Sequence, residues 1–510
     1  MKLNRTQNAK NNVLWGGVAK GVTLLFPFVV RMVLIKTLGI DYLGLNGLFT
    51  AMLGLLNITE LGVGIAIVYS MYKPIADDDT SLICALMNFY KKVYRVIGVV
   101  ILILGLSLMP FLSSFVKGAT PAGIDLHILY LIYLSNSVLS YWLFAYKNCL
   151  LTAHQRSDVS TKVQIFTTVL MYISQIIVLF TFSNFYVYAV MFPLFSIAAN
   201  VITAHFASKM FSQYKAIGQI DRKQLHHITK QVVGLLTSKV AFISRSTIGN
   251  VVVSATLGLS LLGIYSNYFY ICSAITGCMF VFTISISAGI GNSIAMDSKE
   301  KNEHDMRVMN FLYMSVSYVC YCCLLVLFQP FMKLWLGEDF LLPDMAMISF
   351  AIFFLVEKED SIIGQYYDSA GLWWHGKWKG FIETIFNLCF VIVGCKIGNV
   401  TGIMMAGSLV LLFVGLPLTA YYVYRFYYKK SFVLFFMQIL LQLFVFAVTG
   451  LAVYSLCNFI QFSNSILLEI LLKLALCIIL SVAFYYLIMH RTAQYKESFI
   501  WLKKHIRSLK

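Results

Sequence analysis

Long apolar runs constrain this chain more than any other feature of its sequence. One of them, residues 465–489, contains one acidic and one basic residue and exceeds the roughly 20 residues that a helix needs to cross a hydrocarbon core. The chain is 59% hydrophobic and 12% charged, with a mean hydropathy of +0.79, whereas soluble domains carry roughly 25% charged residues. The sequence therefore predicts an all-α polytopic membrane protein.

Fourteen apolar segments are predicted to be transmembrane helices, separated by connectors in which Gly, Pro, Asn and charged residues collect. The first segment is longer than a signal peptide and has no small-residue cleavage motif, so it is predicted to be retained. The fourteen spans are residues 13–38, 43–70, 91–115, 126–150, 160–182, 185–208, 231–257, 262–291, 308–332, 342–368, 378–398, 401–427, 432–459 and 465–489.

Lysine and arginine are distributed unequally between the two sides of these helices. With the N-terminus placed in the cytoplasm, the tails and connectors on that side, with the adjoining helix ends, hold 28 of the 39 Lys and Arg. The opposite side holds Lys36, Lys117, Lys333 and Lys396. This bias predicts that both termini are cytoplasmic. It also explains the net charge of +17, which indicates attraction to anionic lipid rather than to nucleic acid.

A short connector occurs twice in the sequence. LGIDYLG occupies residues 38–44 and LGLSLLG occupies residues 257–263, at an offset of 219 positions. A chance coincidence of Leu and Gly is the alternative to a repeat. In a repeat, the six intervening spans give both halves one orientation, related by an axis along the membrane normal. The predicted organisation is an N-terminal six-helix lobe at 1–208, a cytoplasmic connector at 209–230, a second six-helix lobe at 231–430, and two extra helices with a cytoplasmic tail at 431–510.

Basic side chains at membrane depth are costly and mark candidate transport pathways. The first span carries Lys20 and Arg31, whose eleven-residue spacing brings them to within about 20° of one helix direction. Such a cationic stripe suits phosphate oxygens, although each side chain could instead snorkel to its nearer membrane surface. Span 7 adds Lys239 and Arg245, which point about 120° apart, so one of them is expected to face a shared cavity.

Glu60 lies deep in the second span, where an unpaired carboxylate would be hard to tolerate. We expect it to pair with a basic group of span 1 or span 7, or to bind a coupling Na⁺ or H⁺. No other cofactor and no metal site is predicted. The 11 cysteines lie mostly inside apolar runs, without histidines or further ligands at metal-binding spacing.

The tenth span contains an unusual charged stretch, EKEDSIIGQYYD. Glu357, Asp360 and Asp368 recur at helical spacing and are predicted to form one face, while Lys358 and Glu359 point elsewhere. A polar cavity lining or ion relay is one interpretation of this face. A ladder of charges balanced by a neighbouring helix is the other.

Two classes of protein fit many helices joined by short loops: a transporter, or a membrane enzyme that acts on lipid-linked sugar. A polymerase or ligase usually needs a sizeable outward loop to hold its acceptor. Most outward connectors here are only a few residues long and carry few groups suited to catalysis. The sequence therefore favours a transporter over an enzyme.

Several motifs together resemble the bacterial polysaccharide repeat-unit flippases, a family of the multidrug/oligosaccharidyl-lipid/polysaccharide exporter superfamily. The chain departs from their pattern at Ile248, Gly249 and Asn250, where relatives often have an acidic residue, and at HGKWKG (375–380). The matching segments are PFVVRMVLIKTLGIDYLGLNGLF (27–49), ELGVGIAIVYSMYKPIADDD (60–79), GIYSNY (263–268), GNSIAMDSKEKN (291–302), QPFMKLWLGEDFLLP (329–343) and DSAGLWW (368–374).

This resemblance implies fourteen helices, no catalysis, and outward movement of undecaprenyl-diphosphate-linked oligosaccharide across the bacterial cytoplasmic membrane. Such transport serves the assembly of capsule, exopolysaccharide or O-antigen, with a polysaccharide polymerase and other assembly proteins as candidate partners. The alternatives are a multidrug or cation antiporter of the same superfamily and a membrane repeat-unit polymerase. The basic stripe of span 1 argues against an antiporter, whose central sites are expected to be acidic.

Overall fold

The computed structural model describes residues 5–60, 63–459 and 465–508. These residues form helices joined by short connectors, and none of the described residues lies in a β-strand. Nine helices of this part of the chain are long and apolar enough to cross a membrane, and ten if the bent pair Leu126–Trp142 and Ala145–Ala153 counts as one span. The prediction of an all-α polytopic membrane protein is confirmed.

The chain divides into two compact units, Met1–Gly263 and Ile264–Lys510. Helix α10 begins in the first unit and continues into the second. The predicted lobes rest on the sequence repeat and remain a prediction. The helices are α1 Arg5–Thr37, α2 Ile40–Leu56, α3 Val63–Ala76, α4 Thr80–Leu108, α5 Leu126–Trp142, α6 Asn148–Ala153, α7 Ser157–Phe182, α8 Phe185–Met210, α9 Arg222–Leu257, α10 Leu259–Met296, α11 Lys299–Trp335, α12 Asp344–Ser369, α13 Lys379–Val410, α14 Leu416–Tyr422, α15 Val433–Phe459, α16 Ile466–Met489 and α17 Ala493–Ser508.

Each predicted span coincides with one or more of these helices, but not every span is a single straight helix. The second span is interrupted by a 3₁₀ turn, Asn57–Glu60, between α2 and α3. The seventh span extends further towards the N-terminus than predicted, because the Asp221 side chain caps α9 by accepting the Gln224 N–H at 2.7 Å. The tenth span, α12, carries charges that an apolar span would lack.

Helix α13 contains a sharp reversal that separates two predicted spans. Gly398 and Asn399 leave the helical conformation, with Asn399 at φ 51°. A Cβ added to Gly402 would lie 1.8 Å from the Gly394 carbonyl oxygen, although eight residues of straight helix would separate these positions by about 12 Å. The chain therefore folds back here, as expected for a connector between spans 378–398 and 401–427.

The two copies of the repeated connector have the same local geometry. Gly39, before α2, has φ 112° and ψ 169°, and Gly258, before α10, has φ 100° and ψ 173°. These positive φ values explain the glycine, since a side chain would be strained there. Both glycines separate two long helices by a break of one or two residues.

The two connectors also contact each other within the first unit. A Cβ on Gly44 would lie 2.2 Å from the Leu259 carbonyl oxygen, and a Cβ on Gly263 would lie 2.6 Å from that of Ile40. Gly44 and Gly263 are equivalent positions of the repeat, as are Ile40 and Leu259. In each copy, the absence of a side chain at the last glycine therefore allows the backbone of the other copy to approach closely.

Long helix pairs form the interior of each unit. In the first unit, α1 packs along α7, and α8 packs against both α5 and α7. In the second, α11 contacts α12, α15, α16 and α17. Helices α15 and α16 present many exposed apolar side chains, including Phe444 and Leu487, as expected for surfaces that face lipid.

Candidate functional site

The first unit encloses a cavity of about 760 Å³, here called the first-unit cavity. Its walls come from the Asn57–Glu60 turn and from α3, α4, α6, α7 and α8. The chain bends by 44° between α5 and the segment that contains α6, which places that segment against the cavity. The lining residues are Glu60, Gly64, Val68, Tyr69, Tyr72, Tyr90, Tyr94, Phe144, Ala145, Asn148, Cys149, Thr152, Ser160, Gln164, Ser196, Ala199, Asn200 and Thr203.

Glu60 belongs to a chain of hydrogen bonds in this cavity. The Tyr94 hydroxyl donates to Glu60 Oε1 at 2.8 Å, and the Tyr90 hydroxyl donates to that of Tyr94. Gly64 leaves room for the cluster, because a Cβ at that position would lie 2.8 Å from the Tyr90 hydroxyl. The interruption between α2 and α3 thus holds the carboxylate at the cavity wall, beside two tyrosines of α4.

The rest of the described lining mixes apolar side chains with uncharged polar ones. Seven of its side chains carry an amide or an aliphatic hydroxyl. Asn200 is oriented by its Nδ2, which donates to the Ser140 carbonyl oxygen at 2.9 Å. Tyr69 and Tyr72 of α3 are 62% and 46% exposed and stand edge to face, with ring centroids 6.2 Å apart. The cavity therefore offers neutral donors, acceptors and aromatic faces.

The predicted cationic stripe lies elsewhere in the first unit. Lys20 and Arg31 are both half-buried on α1, and neither is among the described residues that line the first-unit cavity. The helix that carries them packs along α7, where Phe26 of α1 stacks on Tyr172 with ring centroids 5.7 Å apart. Arg31 therefore lies on a helix that packs against α7, outside the described lining to which Glu60 belongs.

The structure describes the side chain of only one of the two basic residues predicted to bind phosphate in span 7. Arg245 is half-buried on α9. The side chain of Lys239 lies outside the described part of the chain. Lys147, at the end of span 4, donates from Nζ to the Ser208 hydroxyl at 2.6 Å. The assignment of Lys239 and Arg245 to phosphate binding remains a prediction.

The charged stretch of α12 is divided among several neighbours in the second unit. Lys358 Nζ lies 2.9 Å from Glu357 Oε2. Asp360 accepts a hydrogen bond from the Thr419 hydroxyl at 2.8 Å. Asp368 is exposed and accepts from Trp373 Nε1 at 2.8 Å. The predicted residues of this face are therefore held by three different contacts.

Glu359, which the sequence placed off the predicted polar face, is fully buried in α12. It accepts a hydrogen bond from Asn310 Nδ2 of α11 at 2.8 Å. Lys358 is almost as buried and lies 5.2 Å from the centre of the Phe354 ring. The sequence did contain a sign that some of these charges are buried. EKED (357–360) places charged side chains on every side of the helix, so no rotation of α12 could expose them all to a single cavity.

A second cavity, of about 730 Å³, lies in the second unit between α10, α11, the end of α12 and α17. Its polar lining includes Ser293, Asp297, Lys301 and Asn302. Lys301 Nζ lies 2.7 Å from Asp297, and this hydrogen bond lowers the pKa of the Asp297 carboxyl. Asp297 and Lys301 therefore largely neutralise each other at this cavity wall.

No protein-family model matches this sequence, and neither does the sequence of any curated protein. Among solved structures, the lipid II flippase MurJ in an inward closed conformation matches with a TM-score of 0.67 and 15% identity, covering 93% of this chain and 98% of its own. An inward-facing multidrug resistance transporter of the MATE family matches with a TM-score of 0.59 and 13% identity, covering 78% and 93%.

A mutant of VcmN, a MATE transporter from Vibrio cholerae, matches with a TM-score of 0.57 and 15% identity, covering 84% of this chain and 98% of its own. At such low identities the likeness establishes the fold alone. The chain therefore has the fold of the lipid II flippase MurJ and of the MATE transporters.

Proposed function

We propose that this protein is a flippase that moves undecaprenyl-diphosphate-linked oligosaccharide repeat units from the inner to the outer leaflet of the bacterial cytoplasmic membrane. In this proposal the protein supplies repeat units for the assembly of surface polysaccharide and catalyses no covalent step. It works beside a polymerase and other assembly proteins. The 28-to-4 distribution of Lys and Arg supports cytoplasmic termini.

The observation that carries the proposal is the extent of the fold likeness. The lipid II flippase covers 93% of this chain, whereas the two MATE transporters cover 78% and 84%. The sequence motifs resemble repeat-unit flippases over nearly the whole chain. Together these observations favour a lipid-linked substrate over a small soluble one.

The charge distribution of the first unit adds a chemical argument. A diphosphate headgroup is strongly anionic and must cross a region of low dielectric constant. Lys20 and Arg31 provide fixed positive charge at membrane depth, and Arg245 provides a further cation on α9. We assign the diphosphate to Arg31 and Lys20, with Arg245 or Lys239 as a second contact. The polyprenyl tail stays in lipid.

Glu60 is the proposed coupling residue of the first unit. Its carboxylate lies at the wall of the first-unit cavity and already accepts a hydrogen bond from Tyr94. It can bind Na⁺ or H⁺, or it can balance a cation of a neighbouring helix. Glu357, Asp360 and Asp368 are the corresponding candidates in the second unit.

One observation favours a second candidate function, multidrug or cation export. The first-unit cavity combines the Glu60 carboxylate with four tyrosines, and aromatic faces with an acidic group attract organic cations. Export of a cationic dye that depends on Glu60, without any movement of lipid-linked sugar, would support this alternative.

Deletion of the gene in its native host tests the proposed function. We expect diphosphate-linked repeat units to accumulate in the cytoplasmic leaflet, where they are protected from membrane-impermeant reagents added to intact cells. Repeat units that reach the outer leaflet normally but stay unpolymerised would instead identify a polymerase. Unchanged distribution with normal polysaccharide would contradict the proposal.

A further inference from the structure

The lining of the first-unit cavity is poorly suited to the anionic part of the proposed substrate. A diphosphate is bound by Arg, Lys or clustered N–H donors, and no Lys, Arg or His occurs among the described residues of this lining. Its one formal charge, within that described lining, is the Glu60 carboxylate, which repels phosphate. A different part of the substrate is needed to match this cavity.

Sugar hydroxyls both donate and accept hydrogen bonds, and the cavity is rich in groups that do the same. Amides and hydroxyls each combine donor and acceptor capacity, and Asn148, Gln164 and Asn200 place amides on three of its walls. Tyr69 and Tyr72 add exposed aromatic faces. A cavity of about 760 Å³ also lies within the roughly 300–1,000 Å³ range of ligand sites.

The position of the cavity fits a headgroup that arrives from the cytoplasm. With both termini inside, spans 2, 4 and 6 run inward and spans 1 and 5 run outward. Glu60, Asn148, Ser160 and Asn200 then all fall in the cytoplasmic half of their spans. Arg31, by contrast, lies in the outer half of span 1.

We infer that the first-unit cavity binds the oligosaccharide part of the lipid-linked substrate, while the diphosphate is held separately at the α1 cations. This inference rests on the proposed flippase function and adds a site for the sugar. Asn148 and Gln164 supply hydrogen bonds to sugar hydroxyls, Tyr69 and Tyr72 pack against sugar rings, and the Tyr90–Tyr94–Glu60 chain closes one end of the site. Sugar selectivity then resides in the first unit.

The test separates the two halves of the substrate. Lipid-linked repeat units isolated from the native host are cleaved by mild acid, and the released oligosaccharide is used as one probe. Undecaprenyl diphosphate without sugar is the other probe. Binding of each to the purified full-length protein in detergent is measured by calorimetry for the wild type, Arg31→Ala, and the double variant Asn148→Leu/Gln164→Met.

The double variant removes two amides at similar volume, and both positions are exposed, so the helices are expected to tolerate it. We expect about tenfold weaker binding of the free oligosaccharide, because two hydrogen bonds are lost, with unchanged binding of undecaprenyl diphosphate. Arg31→Ala should bind undecaprenyl diphosphate more weakly and the free oligosaccharide normally. Gln213→Met, an exposed position outside the cavity, serves as the matched control and should bind both probes normally.

Oligosaccharide binding at the wild-type level by the double variant would overturn the inference. If the wild type bound undecaprenyl diphosphate but no oligosaccharide, the cavity assignment would fail and the proposed flippase would stand. A further outcome is that the wild type binds neither probe but binds tetraphenylphosphonium, with that binding lost in Glu60→Gln. In that case both the sugar site and the proposed flippase function would fail, and the cavity would be a site for organic cations.

Discussion

Asp41 and Ser260, which lie 219 positions apart, are joined by a hydrogen bond from the Ser260 hydroxyl to the Asp41 carboxylate. They occupy equivalent positions of the repeated connector. The flanking contacts are reciprocal, because Gly44 meets Leu259 as Gly263 meets Ile40. A self-complementary arrangement of this kind is typical of a two-fold relationship. It supports the interpretation of LGIDYLG and LGLSLLG as copies rather than a coincidence.

Gly44→Ala should destabilise this contact between the connectors. The new methyl group would lie 2.2 Å from the Leu259 carbonyl oxygen, so backbone must move, and such overpacking costs about 1–3 kcal/mol. We expect a lower midpoint of thermal unfolding, measured by the loss of the monodisperse peak in gel filtration after heating.

Gly21→Ala is the matched control for this change. Gly21 also lies in a helix, but nothing in the described chain comes within 4 Å of an added Cβ. Alanine there should leave the midpoint unchanged or raise it, since it favours helix by about 0.5–1 kcal/mol over glycine. Equal midpoints for the two variants would show that the connectors are not tightly packed.

Glu60→Gln should reduce transport without preventing insertion or folding. The glutamine carbonyl can still accept the hydrogen bond from Tyr94, so the substitution removes charge while it retains the local geometry. Transport of lipid-linked repeat units should be measured across a range of pH and Na⁺ concentrations, at matched protein level. Wild-type flux under every condition would remove Glu60 from coupling.

Arg31→Ala should impair transport severely, and Arg31→Lys partially. Arginine grips phosphate oxygens with two donors, whereas lysine acts as a point charge. Loss of a buried charged contact costs roughly 2–5 kcal/mol, which corresponds to at least about 30-fold. Lys20→Ala should add to the loss. Lys36→Ala, an exposed lysine in the last turn of the same helix, should transport normally.

If the predicted orientation holds, a cysteine at position 215 should react only from the cytoplasm. Lys215 is exposed in the connector between α8 and α9. Lys215→Cys, in a background whose other reactive cysteines are replaced, is treated with a membrane-impermeant maleimide in intact cells and in inverted vesicles. Labelling in intact cells alone would reverse the predicted topology.

Asn310→Leu should destabilise the second unit by about 1–3 kcal/mol, the cost of removing a hydrogen-bond donor from a buried acceptor. The acceptor is Glu359, which is fully buried. The double variant Asn310→Leu/Glu359→Met should recover much of this loss, because both polar partners are then replaced. Thermal unfolding in detergent measures both effects. A single variant as stable as the wild type would show that Asn310 does not support Glu359.

Most of the long helices were predictable because they depend on a local property, a run of apolar residues long enough to cross a membrane. The interruptions within a span were harder to predict. The turn at Asn57–Glu60 is a small departure that hydropathy averages out, whereas the reversal at Gly398 and Asn399 falls where a connector was predicted. The connectors were visible as a repeat, but their mutual contact depends on tertiary packing, which no window of sequence contains.

The candidate site was predicted in part. Charge at membrane depth identified Glu60, and the structure places it at a cavity wall. The same criterion gave Lys20 and Arg31, which lie outside the described lining of that cavity. The sequence did not show which tyrosines and amides form the lining, because such residues are common in helices and only their convergence from several elements makes a site. The partner of Glu359 was not predicted, because helical periodicity cannot reveal which neighbouring helix supplies a hydrogen-bond donor.

Reconstitution into liposomes tests the flippase function most directly. Liposomes receive lipid-linked repeat units that carry a nitrobenzoxadiazole fluorophore on the sugar, with imposed Na⁺ or proton gradients, and dithionite then quenches the fluorophores exposed outside. We expect the purified protein to make the inner-leaflet pool accessible, so that quenching approaches completion, whereas Arg31→Ala leaves that pool protected. An inner-leaflet pool equally protected with and without the wild-type protein, under every gradient, would contradict the proposed function.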